Sequence, residues 1–409
     1  MLGFLPVDKS DRNIAICVLA AIFMNAVLAF INANMFGLNS KVVILVQLLV
    51  TAMSVYVVYK TMNQLSMRYF GRVVVLLMLI IVVIPIKLGV SIQGVYGLLI
   101  VPLFVMLGLN YKSEDYQFVR ILLFVVFGLA LFEIFFTEYY VKIFNPLDYY
   151  VSTREWAAGV VDRKGLDQTD LDTGDLYSGV YRPGGTFTGI SHRVSSIFIE
   201  PLTLGYFGFF AFLFFYAKNN YRVKGIYIEF LVCVCLSAFS DTRIAVFFIF
   251  FSIVVSRLSG LISSALIVIL PMLIFITLLL IYLVFGDMLT RELEYRISTS
   301  FLPIISSGWV ELISGRLVVP PGMSGGDSGL VLIINSAGIL GAAFFYYLVL
   351  GLASGLKVNK IYTLMFSLFF VVATLFGVLI LSIKAAAAYA FFTGIILKRC
   401  QERNSYEYS

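Results

Sequence analysis

The chain has a single histidine, His192, and it lies in a stretch where other reactive side chains gather. That stretch reads Tyr181-Arg182-Pro183-Gly184-Gly185-Thr186-Phe187-Thr188-Gly189, then Ser191-His192-Arg193-Val194-Ser195-Ser196-Ile197-Phe198-Ile199-Glu200-Pro201. An apolar run follows. Pro201 suits the first turn of a helix, where its missing N–H costs nothing. Glu200 then falls at or near the N-cap, where the helix dipole favours a negative charge. Capping alone would account for Glu200, and a surface or snorkelling role would account for Arg193. A second group, Ser240-Asp241-Thr242-Arg243, also opens an apolar run. A basic residue there opposes the dipole, so an anion or a carboxylate (Asp241 or Glu200) should answer Arg243. The third group is Arg316, then Pro320-Pro321-Gly322-Met323-Ser324-Gly325-Gly326-Asp327-Ser328-Gly329, again leading into a helix. Asp327 sits at an N-cap position, and the glycines permit either a close approach to a ligand or a plain turn.

Taken together, Arg193, Arg243 and Arg316 with Glu200, Asp327 and His192 suggest one kind of chemistry. Arginine binds phosphate oxygens through a planar two-pronged fork. A carboxylate or imidazole within reach of a hydroxyl can take its proton. Such a set could hold a lipid-linked diphosphate and activate a sugar hydroxyl, with the arginines neutralising charge on the leaving diphosphate. No metal or other cofactor is required for that.

The elements that must position these residues are apolar. Of 409 residues, 61% are hydrophobic and 13% are charged, with a mean hydropathy of +0.99. A soluble domain carries about 25% charged residues. Crossing a hydrocarbon core of about 30 Å takes about 20 apolar residues of helix. Twelve stretches fit: 13–32, 41–59, 72–88, 93–109, 117–137, 200–217, 224–240, 242–258, 261–286, 328–350, 361–381 and 384–398. Residues 1–409 therefore read as a single all-α integral membrane domain of about 12 transmembrane helices. Two polar segments interrupt it, 138–199 and 287–327. The first apolar stretch follows Lys9 and Arg12 without a convincing cleavage site, and is expected to be a retained helix rather than a signal peptide.

Charge fixes an expected orientation. Sixteen basic residues in short loops, from Lys9 and Arg12 to Arg399 and Arg403, fall on one side. Only Lys41, Lys87, Arg243 and Lys384 fall opposite. By the positive-inside rule the richer side is cytoplasmic, which puts both termini inside and both long segments outside. The net charge of +6 is accounted for by this asymmetry and gives no reason to expect nucleic acid.

Other features carry less. The acidic residues between Asp148 and Asp175 read as a solvated loop. A calcium site from Asp167, Asp170, Asp172 and Asp175 lacks the glycine and terminal glutamate spacing of a calcium loop. Cys17, Cys233, Cys235 and Cys400 lie in or beside helices, where small buried fillers are expected rather than a disulfide framework. No repeat of 20–50 residues is visible.

Three short motifs resemble a known family. Arg193-Val-Ser-Ser-Ile-Phe-Ile-Glu200-Pro201 is similar to the end of the first large periplasmic loop of Wzy-type polysaccharide polymerases. Leu236-Ser-Ala-Phe-Ser-Asp-Thr-Arg243 resembles the family's short serine-rich turn ending in arginine. Asp327-Ser-Gly-Leu-Val-Leu-Ile-Ile-Asn335-Ser-Ala-Gly338-Ile-Leu-Gly341 resembles its helix after the second large loop. The resemblance implies a GT-C-like helical fold in a bacterial inner membrane, with 138–199 and 287–327 as long periplasmic loops. It implies polymerisation of undecaprenyl-diphosphate-linked oligosaccharide without a divalent metal, and a chain-length regulator as a possible partner in the bilayer. It also implies that Arg193 and Arg243 face the diphosphate and that Glu200 is the loop-end acid. O-antigen ligases share the layout but place a histidine where this chain has Asp327-Ser328, which favours polymerase and leaves the base open among Glu200, Asp327 and His192. An Arg-x10-Gly spacing, at Arg154–Gly165 and Arg163–Gly174, carries no weight in a chain so rich in both residues. A glycan-lipid transporter or flippase is the alternative of another class. It would place ionisable residues near mid-membrane, whereas Glu133, Glu229 and Asp241 fall near span ends.

Overall fold

A computed structural model describes residues 8–86, 92–113, 116–154, 190, 192–258, 260, 262–285, 291–318, 328–354 and 360–407. Among these the chain is all-helical, without strands. The helices are α1 (Lys9–Asn34), α2 (Ser40–Thr61), α3 (Gln64–Ile86), α4 (Ile92–Asn110), α5 (Gln117–Phe135), α6 (Thr137–Phe144) and α7 (Pro146–Thr153). They continue with α8 (Pro201–Lys218), α9 (Tyr227–Phe239), α10 (Arg243–Arg257), α11 (Ser264–Phe285), α12 (Arg291–Ile305) and α13 (Trp309–Ser314). The last are α14 (Gly329–Ser354), α15 (Lys360–Phe376) and α16 (Ile383–Glu407).

Each of the twelve apolar stretches falls on one of these helices. Among the described residues, six helices are long and apolar enough to cross a membrane, by length and composition: Lys9–Asn34, Ser40–Thr61, Gln64–Val83, Gln117–Phe135, Pro201–Lys218 and Gly329–Val349. That is the make-up of a multi-pass α-helical membrane protein. Others are apolar but shorter, and α9 is the clearest case. At about 1.5 Å per residue, its 13 residues reach about 20 Å. It is bounded by Gly225 at φ +101° and by Asp241 in the left-handed region at φ +49°. Parts of the two polar segments also form helices, α6 and α7 in the first and α12 and α13 in the second.

The contacts divide the chain into two compact units. The first comprises Met1–Thr61, Tyr111–Ile249 and Ile383–Tyr389. Its centre is α8, which is apolar on every side and buries Phe207, Phe209, Phe210, Phe212 and Phe214. A helix of that kind belongs inside a bundle. Tilted and edge-on ring pairs lock it to its neighbours: Phe209 with Phe248, Phe210 with Tyr389, and Phe214 with Tyr116. Such pairs contribute about 0.5–1.5 kcal/mol each beyond the area they bury. By contrast α2 turns Leu45, Leu48, Leu49, Tyr56 and Tyr59 outward, an apolar surface suited to lipid.

The second unit comprises Met62–Asn110, Phe250–Ser382 and Ala390–Ser409. Here α14 kinks at Gly338, whose φ of +65° and contact with the Ile313 carbonyl leave no room for a side chain. The close approach of α13 to α14 depends on that glycine.

Within the first unit, the Lys218 ammonium lies 3.5 Å from the centre of the Tyr116 ring. The start of α5 and the end of α8 are therefore at one end of the unit. Reporter fusions after Ser113 and Asn220 should consequently agree, and the positive-inside rule makes that answer cytoplasmic. A fusion at Asp170, outside the described residues, should report the opposite side. Disagreement between Ser113 and Asn220 would contradict the arrangement of α5 and α8.

Candidate functional site

At the other end of the first unit, residues 192–200 run between helices and are buried throughout. His192, Arg193 and Glu200 are at most 9% exposed, and Ser195 and Ser196 are fully buried. Two backbone positions are unusual. Ser196 has φ +51° and Ile199 φ +56°, the left-handed region that side chains avoid, β-branched ones most of all. Each such residue costs about 1–3 kcal/mol and persists only where its surroundings over-determine it.

They do so here. Glu133, near the end of α5, is fully buried and accepts hydrogen bonds from the loop backbone. Its Oε2 accepts from the Ser196 N–H at 2.6 Å and from the Ser195 N–H at 3.0 Å, and its Oε1 accepts from the Ser195 hydroxyl at 3.2 Å. The same Oε1 lies 3.7 Å from His192 Nε2. The Tyr140 hydroxyl of α6 donates to the Ser196 carbonyl at 2.6 Å, and the Tyr150 hydroxyl of α7 donates to the Ile199 carbonyl. The Ser196 hydroxyl donates to the Val126 carbonyl at 2.8 Å, and the Val194 N–H donates to the Phe239 carbonyl at 3.0 Å.

Glu200 is the N-cap of α8, with extended backbone and Pro201 at the first helical position. Its side chain does no capping. Instead Oε2 lies 2.6 Å from Lys384 Nζ and accepts from the Thr203 hydroxyl at 3.0 Å. Oε1 lies 3.5 Å from the Arg154 guanidinium, which rests 4.7 Å from the centre of the Tyr150 ring. Burial alone would raise the carboxyl's pKa, but Lys384 and Arg154 outweigh it and hold it below the usual carboxylate value. The His192 imidazole is also pushed below its ordinary value, because burial disfavours its charged form.

Arg193 donates from Nε to the Ser240 carbonyl at 2.9 Å. Arg243 opens α10 with its side chain 59% exposed, and its Nε lies 3.8 Å from Asp241 Oδ1. Of the two carboxylates expected to answer it, the structure pairs it with Asp241. Ser240 and Thr242 share a hydrogen bond of 2.9 Å across this tight turn, which packs on Gly205 of α8.

The first unit thus holds four of the six residues singled out from sequence: His192, Arg193, Glu200 and Arg243. Arg316 belongs to the second unit, where it follows α13 and is exposed. Asp327 and the aspartates 167, 170, 172 and 175 lie outside the described residues. Three charged residues not singled out from sequence join the site, namely Glu133, Lys384 and Arg154, the last belonging to an Arg-x10-Gly spacing that carries no weight. A signal existed for two of them. Glu133 is an acid within an apolar helix, and Lys384 is the lone charge between Lys360 and Lys398. Arg154, Arg193, Arg243 and Lys384 are the cations that stand beside the loop or its neighbouring turn. No family model, curated protein or solved structure matches the chain.

Proposed function

We propose that the protein is a metal-independent glycosyltransferase of the Wzy polymerase kind, elongating glycans on undecaprenyl diphosphate at the periplasmic face of a bacterial inner membrane. In this reading the chain crosses the membrane about 12 times in a GT-C-like arrangement with both termini in the cytoplasm. The observation that carries it is the buried loop 192–200. It brings Arg193, His192 and Glu200 into a strained, buried segment with further cations beside it. Strain of that kind gathers where geometry is used for a task.

The reaction asks for little beyond these groups. The bond between the anomeric carbon of the donor glycan and the diphosphate oxygen breaks, and its electron pair leaves with the diphosphate. The acceptor hydroxyl oxygen bonds to that carbon and gives its proton to a base, for which Glu200, Asp327 and His192 are the candidates. In the first unit, Arg193 and Arg243 neutralise the leaving charge. The test is purified protein supplied only with undecaprenyl-diphosphate-linked oligosaccharide. A polymerase lengthens the glycan and releases undecaprenyl diphosphate. A ligase needs a different acceptor and leaves the donor unchanged, and a flippase in proteoliposomes moves the lipid without altering it. Unchanged donor would reject the polymerase reading.

A further inference from the structure

We infer that Lys384 is a positioning residue of this site, fixing through Glu200 and the Phe198 carbonyl the frame from which His192 and Arg193 act. The inference rests on the proposed glycosyl transfer for the word "site", but its geometry stands by itself. Lys384 is the second residue of α16, only 2% exposed and followed by four alanines. A buried ammonium in the first turn of a helix is opposed both by desolvation and by the dipole. Nothing about the helix itself calls for a lysine there.

What it touches explains it. Lys384 Nζ donates to the Phe198 carbonyl at 2.9 Å and meets Glu200 Oε2 at 2.6 Å. It therefore grips the loop on both sides of Ile199, one of the two left-handed residues. Glu133 holds Ser195 and Ser196, three residues earlier. One charged side chain from α5 and one from α16 thus fix the two halves of the same short segment, and His192 and Arg193 lead directly into it. A buried ion pair adds little net stability over an apolar pair of the same size, and its best-attested use is to specify one arrangement.

A second consequence concerns Glu200. Both its oxygens face cations, and accepting a proton would abolish the pairing with Lys384 and Arg154 together. The ion pair keeps Glu200 as a fixed anion, so the proton of the acceptor hydroxyl goes to another group.

The test compares Lys384→Met, Lys384→Arg and Glu200→Gln/Lys384→Met with the wild type, each purified as the full chain. In Lys384→Met the Glu200 carboxylate keeps Arg154 as a partner, and the double variant removes the carboxylate as well. Two readouts are taken: hydrogen exchange of the amides from 194 to 199, and turnover of undecaprenyl-diphosphate-linked oligosaccharide with its pH profile. Exchange should rise about tenfold or more in Lys384→Met, as local opening becomes easier. The kcat should fall by about 100-fold, as misplacement of about 1 Å does, with KM little changed. Lys384→Arg should recover part of both, and the double variant should keep the wild-type shape of the pH profile. Unchanged exchange and kcat in Lys384→Met would overturn the inference. So would loss of the acidic limb of the profile in the double variant, since Glu200 would then be the base. If the wild type transfers no glycan, the reading of the reaction fails, and the exchange comparison still decides whether Lys384 positions the loop.

Discussion

Arg193→Ala and Arg243→Ala should each reduce polymer formation by about 100-fold or more, the loss seen when a donor to developing negative charge is removed. On the proposed polymerase reading, single capped repeat units should remain on the acceptor, because flipping and ligation would be the work of other proteins. The two arginines reach this outcome differently. Arg193 is nearly buried and satisfies the Ser240 carbonyl, so its removal also leaves that acceptor without its donor, at about 1–3 kcal/mol. Arg193→Lys keeps the charge but loses the fork, and should rescue poorly. Arg243 is mostly exposed and stands at a helix start, where a positive charge is unfavourable. Its removal also takes a cation from the buried Asp241 carboxylate, so a loss of polymer in Arg243→Ala reports on the chemistry where the variant unfolds at the wild-type temperature. Glycan ladders from membranes with equal amounts of protein decide the matter. Ladders of normal length from both variants would reject the assignment of these arginines.

How much of this was legible in the sequence depends on distance along the chain. The positions of the long helices follow from apolar runs, because burying helix in lipid or in a bundle demands a continuous stretch of such residues. The N-cap position of Glu200 was legible too, since Glu-Pro before an apolar run is a local signal. What its carboxylate does there was not. A capping role satisfied every local rule, and the competing partner, Lys384, lies 184 residues away. The helices α6 and α7 were missed for a different reason. Each has eight residues, too few to register in a search for membrane-length apolar segments. Their tyrosines, Tyr140 and Tyr150, nevertheless supply two of the hydrogen bonds that hold the loop. Loop 192–200 itself belonged to a segment read as polar and external, although Ile197, Phe198 and Ile199 are apolar. Its burial depends on Glu133 satisfying backbone donors 62 and 63 residues further on, and no periodicity encodes that pairing.

That dependence makes Glu133 the residue whose loss should matter most to the loop. In Glu133→Ala the N–H groups of Ser195 and Ser196 and the Ser195 hydroxyl lose their acceptor inside the protein. Each buried donor left unsatisfied costs about 1–3 kcal/mol, so the loop should be weakened by about 3 kcal/mol or more. Two left-handed residues would then be held by Tyr140, Tyr150, Lys384 and the bond from the Ser196 hydroxyl to Val126, and the segment should relax toward ordinary backbone angles. Glu133→Gln separates hydrogen bonding from charge. One amide oxygen placed where Oε2 stands can accept from both backbone N–H groups, as Oε2 does. The amide nitrogen then takes the place of Oε1, facing the Ser195 hydroxyl and the His192 ring, both able to accept from it. The glutamine variant should therefore keep the loop closed, while the alanine variant opens it. Limited proteolysis and hydrogen exchange across residues 192–200 in detergent-purified protein measure the difference. If the glutamine variant opens the loop as far as the alanine variant, then two carboxylate oxygens are needed and one accepting oxygen does not suffice. If neither opens it, the strained turn is held from the other side, by the tyrosines and Lys384.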